Sequence, residues 1–495
     1  MRIIILLLAF GFALYANTVR IIQTSDLHAC LTAGEAGQKS PLLQLGTLIA
    51  QSRAEVGSGN CLYIDTGDTM QGTLIGTLSR GQAPLRALLA LQCDAWIPGN
   101  HDFDFGPEAF ADTTRMMQNT LLCGNLFAMK EPTSWSGWRL FERNGVRIAL
   151  IGSTASYLQH WFLPNLAKHY RVCSTREQLR RVLPEVMQTK PDAIVLAVHQ
   201  GWVANDARGV NEVAAISQEF PEIDLILGAH THRPFPGQRI GSHTWYVQPP
   251  PHGEAVAIID IACDTKAHRV TEITSRLRYP ERNTPEDASL REALSDDFAR
   301  AAQFEQSVIA PPVGKSIDSG GRPGENNAMS QLFCAAIQAE SQADVVLHGA
   351  LSRTNLPADV PITGKMLFAL VPYDNTIVTC RVSATDLEAI ISEQWSKRKI
   401  YTYCGLYNAE AEIDAAGNAH LKRIAGAPVE QERRYLLALN SFTAAGSGRY
   451  PVLEAILARP ESEMHNTGVL TRDALRNYLN ANPHLVITPQ RFLTH

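Results

Sequence analysis

Asp26-Leu-His28, Gly67-Asp68-Thr-Met-Gln71-Gly72, Gly99-Asn100-His101-Asp102-Phe-Asp104, a lone His199 and Gly228-Ala-His230-Thr-His232 are the segments of this 495-residue sequence whose residue types could do chemistry. In extended backbone, residues i and i+2 point the same way, so Asp26/His28 and His230/His232 can each offer two ligands to one face. Carboxylate and amide oxygens mixed with imidazoles suit Zn, Mn, Fe or Co rather than Ca or Cu(I). Some seven ligands are too many for one tetrahedral ion and suit two ions sharing a bridging carboxylate. A single Asp-x-His or an isolated His is usually a satisfied core or surface residue. Five such segments in chain order are not explained that way.

The elements that must position these residues are short apolar runs. VRIIQ (19–23), CLYI (61–64), DAWI (94–97), TLLC (120–123), VRIALIG (146–152), AIVLAV (193–198) and DLILG (224–228) alternate with helix-length stretches and read as buried strands of an α/β domain. Five of them lead straight into Asp26/His28, Asp68, Asn100/His101, His199 and His230/His232. Ligands of such sheets sit beyond the carboxyl ends of the strands, so these groups are predicted to converge on one edge. Residues 279–312 begin with Pro and charge and end in Ile-Ala-Pro-Pro, which reads as a linker carrying a helix. Residues 313–495 read as a second α/β segment, with helices near 327–340 and 384–396 and strands in ADVVLHG and NTIVTCRV.

Together the motifs resemble those of the calcineurin-like metallophosphoesterases, and their spacing with the second domain resembles the 5′-nucleotidase/UDP-sugar hydrolase family. The resemblance covers nearly the whole chain after its first sixteen residues. It implies a four-layer αββα metallophosphoesterase sandwich over 18–278, the helical linker 279–312, and a C-terminal α/β substrate-specificity domain over 313–495. It also implies two divalent metal ions. Asp26, His28, Asp68 and His232 would bind one, and Asp68, Asn100, His199 and His230 the other, with Asp68 bridging. His101 would be the catalytic histidine and Asp104 its partner. Such a pair of ions can generate a hydroxide nucleophile near neutral pH and clamp phosphoryl oxygens. No Gly-x-Ser-x-Gly elbow or Gly-x-Gly-x-x-Gly loop competes with this chemistry.

In the second domain, Arg353 of His348-Gly-Ala-Leu-Ser-Arg353 aligns with the family's loop arginine and would contact a substrate anion through its two-pronged donors. Phe442, in Asn440-Ser-Phe-Thr-Ala-Ala-Gly-Ser-Gly-Arg-Tyr450, would stack on a base, with Tyr401 or Tyr403 as the second ring. Two departures stand out. His-Gly-Ala-Leu-Ser replaces the usual Asn-Gly-Gly-Gly-Ile before the arginine. Gly448 stands where the family places a ribose-binding Asp, and Arg449 replaces the next Gly. The expected function is therefore a secreted two-metal phosphohydrolase that removes phosphate from nucleotides by attack of a metal-bound hydroxide, with UDP-sugars as a further substrate class. The alternative is a 2′,3′-cyclic-nucleotide 2′-phosphodiesterase/3′-nucleotidase, although that group usually carries Asn where this chain has Asp104. A reading from another class, a catalytically silent nucleotide-binding protein, would need Arg353 and Phe442 but not His101 or the ligand set.

Composition agrees with a small-molecule partner. With 44 Lys+Arg against 49 Asp+Glu, the net charge of −5 disfavours a nucleic-acid polymer as ligand. Nine Cys in so long a chain make no disulfide scaffold. Arg2 followed by the apolar run 3–14 reads as a signal peptide over 1–16, predicting a periplasmic or secreted protein with no integral membrane span in the mature chain.

Overall fold

In the strand Val146–Ser153 alternate side chains serve two different cores. Ile148 and Leu150 belong to one apolar cluster with Val19, Ile21, Leu62, Ile64, Val195 and Ile259. Ala149 and Ile151 belong to another with Leu179, Val182 and Val186 of the helix Thr175–Gln188. A strand buried on both faces has no use for polar alternation, which is why the sequence shows a continuous apolar run. Each fully buried Ile or Leu contributes on the order of 2 kcal/mol of hydrophobic stabilisation.

The computed structural model describes residues 17–31, 42–130, 132–162, 164–206, 209–400, 402–446, 448 and 450–495. The expected signal segment 1–16, Tyr401 and Arg449 lie outside the described residues. Two compact units are present: residues 1–160 with 166–299, and residues 161–165 with 300–495.

The first unit contains two sheets whose inner faces share one core, with helices packed outside. Thr18–Thr24, Cys61–Asp65 and Ala95–Trp96 pair in parallel, extended by the antiparallel strands Val256–Asp264 and Arg269–Arg278. In the other sheet Val146–Ser153, Ala193–Val198, Leu225–Leu227 and Trp245–Gln248 run parallel, with Trp138–Arg143 and Phe235–Arg239 antiparallel at the two edges. This is the αββα sandwich. One expected strand is corrected: TLLC makes only isolated bridges, Leu121 with Trp96 and Leu122 with Ser136, because it joins each neighbour for a single residue.

The second unit contains a five-stranded sheet in the order Gly405–Tyr407, Val345–His348, Tyr435–Asn440, Thr376–Val382, His465–Leu470. A four-stranded sheet is formed by 427–428, 419–424, 409–413 and 493–494. Helices Ala328–Ser341 and Ala384–Ser396 fall where the sequence places them; the latter starts with a capping box between Ser383 and Asp386. Residues 279–312 carry two helices, Ala288–Ala293 and Ser295–Gln306, rather than one. All nine cysteines are buried, and burial pushes the Cys123 and Cys380 thiols up to about 12. Among the described residues no helix is long and apolar enough to cross a membrane.

Candidate active site

The parallel strands of the first unit end together, and each ending turns sharply. Asp26, His28, Asp68, His230 and His232 all adopt left-handed backbone, with φ between 47° and 71°. For non-glycine residues this conformation costs of order 1 kcal/mol or more each and persists only where surroundings enforce it. The enforcement is a lattice of backbone bonds: Asp26 N–H donates to Gly67 O (2.8 Å), His28 N–H to Asp68 O (2.8 Å) and Ala29 N–H to Thr69 O (2.9 Å).

Asp102 is the clamp of this edge. Its buried carboxylate accepts from the backbone N–H groups of Asp68, Thr69, Met70 and Gly99 at 2.7–2.9 Å. Burial and the neighbouring Asp68 nevertheless push it up to about 6. The motif Gly99-Asn100-His101-Asp102-Phe-Asp104 places Asp102 between two functional residues without indicating this role. Gly99 completes the fit, since a Cβ there would lie 2.3 Å from Asp68 Oδ1 and 2.6 Å from the His199 ring.

The side chains so aimed form two groups that share Asp68. Asp26, His28, Asp68 and His232 place ligand atoms within 4.8 Å of one another, and so do Asp68, His199 and His230. His28 Nε2 and His232 Nε2 lie 3.1 Å apart, His232 Nε2 is 3.4 Å from Asp26 Oδ1, and His199 Nε2 is 3.2 Å from Asp68 Oδ2. Two nitrogens each about 2.1 Å from one cation at a right angle would be about 3 Å apart. Second partners set the tautomers: Nδ1–H of His28 donates to Gln71 O and Nδ1–H of His199 to Thr66 O, leaving each Nε2 facing the cluster. His199 Nε2 and Asn100 Oδ1 are buried without a hydrogen bond of acceptable geometry. Such orphaned atoms fit a site completed by a cation.

Charge is arranged accordingly. Burial pushes His28 down to about 3, and burial together with His199 pushes His230 down to about 4, so both are neutral imidazoles able to ligate. Although burial opposes ionisation of Asp68, the imidazoles of His199 and His101 hold it well below the usual carboxylate range. His199, itself buried, is carried up to about 9 by Asp68.

His101 stands beside the cluster on the turn after Ala95–Trp96, its N–H donating to Asp68 Oδ1 at 2.8 Å. Its Nδ1 is 2.8 Å from Asp104 Oδ2, and 36% of the side chain is open to solvent. Despite desolvation, the carboxylates of Asp104 and Asp68 raise His101 to about 10, so it holds a proton at neutral pH. A protonated, oriented and accessible imidazole can donate to an anionic group or a leaving oxygen.

A further histidine, outside the five motifs, joins this edge. His252 follows Trp245–Gln248, the fourth parallel strand of its sheet, and its N–H donates to Asp26 O at 2.7 Å. Its ring centroid lies 5.3 Å from that of His28 and 5.5 Å from that of His232. The available signal was a histidine just past an apolar run, Tyr-Val-Gln-Pro-Pro-Pro-His252, repeating the pattern of the other five.

In the second unit, Val345–His348 and Tyr435–Asn440 are parallel neighbours, and Gly405 pairs with His348 in antiparallel register. The segments holding Arg353, Phe442 and Tyr403 therefore leave or enter the sheet at one edge. Arg353 is exposed and Phe442 half-buried, but Tyr403 is only 5% exposed. Burial pushes the Tyr403 hydroxyl up, beyond its ordinary range. At Gly448, φ is +103° and a Cβ would lie 2.7 Å from the Tyr450 ring. An aspartate is thus sterically excluded where the family pattern has one.

His348 opens the arginine loop as a buried imidazole, its Nδ1–H donating to Gly349 O, and burial pushes it down to about 4. The unfolded chain would protonate this group near 6.5, so its contribution is complete above 6.5 and is lost as pH falls toward 4. Folding stability should drop by about 2 kcal/mol between pH 7 and pH 5 through His348 alone. Urea unfolding of wild type and His348→Gln at both pH values checks this; an identical pH slope in the two would refute it.

Residues 19–234 match the calcineurin-like phosphoesterase family model, and residues 308–455 match that of the 5′-nucleotidase C-terminal domain. Protein UshA of Yersinia enterocolitica is 23% identical over 94% of this chain and 92% of its own length. A 2′,3′-cyclic-nucleotide 2′-phosphodiesterase/3′-nucleotidase of Salmonella typhimurium is 24% identical over 61% of this chain and 52% of its own. Among solved structures, a 5′-nucleotidase precursor from Thermus thermophilus superposes with a TM-score of 0.68 at 20% identity, covering 96% of this chain and 99% of that one.

Proposed function

Because the chain belongs to the calcineurin-like metallophosphoesterases of 5′-nucleotidase type and is a phosphoester hydrolase, we propose that it is an exported two-metal enzyme that releases phosphate from nucleotides. The observation carrying this reading is the pair of ligand groups sharing Asp68, with His101 beside them. Asp26, His28, Asp68 and His232 would hold one divalent cation; Asp68, Asn100, His199 and His230 would hold the other. Two such ions, of Zn, Mn, Co or Fe, would supply Lewis acidity for water activation and would neutralise charge on the phosphoryl oxygens.

The remaining work falls to the chain. Asp102 keeps the Asp68 and Asn100 turns in register through its four backbone bonds. Asp104 fixes the His101 ring by accepting from Nδ1–H, which leaves Nε2–H to stabilise the phosphoryl group or protonate the leaving oxygen. Arg353 would hold a substrate anion and Phe442 would stack on the base. Arg2 and the apolar run 3–14 support export to the periplasm or exterior.

Exclusion of a side chain at Gly448 favours keeping a second reading, a cyclic-nucleotide phosphodiesterase/3′-nucleotidase, because the carboxylate that would select the ribose has no room. Hydrolysis of AMP (to adenosine and phosphate), UDP-glucose (to UMP and glucose 1-phosphate), a 2′,3′-cyclic nucleotide (to a nucleoside monophosphate) and an aryl phosphate, followed by separation of the products with Mn, Co and Zn added separately, tests both. Preference for AMP or UDP-glucose is expected. Preference for the cyclic nucleotide establishes the second reading, and no hydrolysis of any substrate overturns both.

A further inference from the structure

His252 shares the left-handed backbone of His28, His230 and His232. It sits just beyond the carboxyl end of a parallel strand, adopts left-handed backbone with φ +59°, and is tied by its N–H to Asp26 O. Three consecutive prolines, Pro249, Pro250 and Pro251, precede it and Gly253 at φ +72° follows, so a stiff segment ends in a sharp turn that presents the ring. Its ring nitrogens have no hydrogen-bond partner among the described residues, and one of them lies with nitrogens of His28 and His232 in a set mutually within 4.8 Å. A residue strained into this backbone merely to fill space could be any turn-former; an imidazole aimed at two ligand imidazoles has a chemical use.

We propose that His252 is an additional imidazole donor to the cation position that His28 and His232 share, and that it biases this position toward ions favouring nitrogen, such as Zn and Co, over oxygen-preferring Mn. The proposal rests on the metal reading of the site. The set that His28 and His232 form with His252 is all nitrogen, whereas the set they form with Asp26 and Asp68 is half carboxylate, and ligand type is a principal means of discrimination among divalent ions.

The test uses the full chain, stripped with chelator and dialysed against equimolar Zn and Mn. His252→Gly and His252→Asn both suit left-handed backbone, so either should preserve the turn. Bound metal is measured by mass spectrometry, and the visible absorption of the Co-loaded protein reports its coordination. The expected result is a Zn:Mn ratio lowered on the order of tenfold in both variants with an altered Co spectrum. An unchanged ratio and spectrum overturn the proposal while leaving the metal site intact. His28→Ala is the control: loss of an ion is expected, and full retention of both would overturn the metal reading itself.

Discussion

Asp68→Ala should leave the chain without either cation and lower turnover on the order of 10³-fold or more. The size follows from the several kcal/mol of transition-state charge stabilisation that bound cations contribute, at 1.4 kcal/mol per tenfold. The breadth of the loss follows from position. Asp68 Oδ2 lies 3.2 Å from His199 Nε2 and 3.9 Å from His28 Nε2, so one carboxylate serves both ligand groups. Its other oxygen accepts from His101 N–H, so removal also loosens the turn carrying that histidine. Asp26→Ala, by contrast, should remove one ion, because Asp26 belongs to one group only. Metal content by mass spectrometry separates the cases, and two ions per chain in Asp68→Ala would sink the bridging role. Asp68→Asn keeps the shape without the charge and guards against misfolding as the cause.

His101→Ala should behave differently: both ions retained, turnover lowered roughly 10²-fold or more. His101 belongs to neither ligand group, although its ring lies 5.5 Å from that of His28. Asp104→Asn refines the assignment. The Asp104 carboxylate helps to raise His101 to about 10, so the protonated form persists through neutral pH and is lost as pH rises through that value. With the carboxylate gone, His101 should lose its proton at lower pH, moving the descending alkaline limb of the rate profile toward neutrality. A turnover of His101→Ala equal to wild type, or an alkaline limb unmoved in Asp104→Asn, would remove the respective role.

What could be read from the chain and what could not has a common cause. Asp26, His28, Asp68, Asn100, His199, His230 and His232 were legible because buried parallel strands announce themselves as apolar runs, and each run names its own carboxyl end. His252 escaped because Trp245–Gln248 is only four residues long and begins with a half-buried tryptophan, so its run is hard to separate from the turns around it. Asp102 escaped because a carboxylate between two functional residues looks like a ligand or a surface charge; only the fold reveals four backbone donors around it. Ala409–Ile413 reads as polar alternation, and its parallel pairing with Leu493–Thr494, some eighty residues away, has no local signature. The spacing of aromatics likewise places Tyr403 near the strand ends without fixing its depth, which is buried.

The nine buried thiols carry a consequence for how long the enzyme lasts. A thiol must ionise to attack a disulfide or be oxidised readily, and here burial both hides the sulfurs and disfavours the thiolate. In an oxidising compartment the native fold is thus its own protection, and nothing needs to be added to keep the cysteines reduced. Opening of the chain reverses this at once, releasing thiols that can pair with one another in many wrong ways before the strands re-form. If the chain is exported as proposed, opening is the step that ends this protection, so its lifetime there depends on how rarely the chain opens.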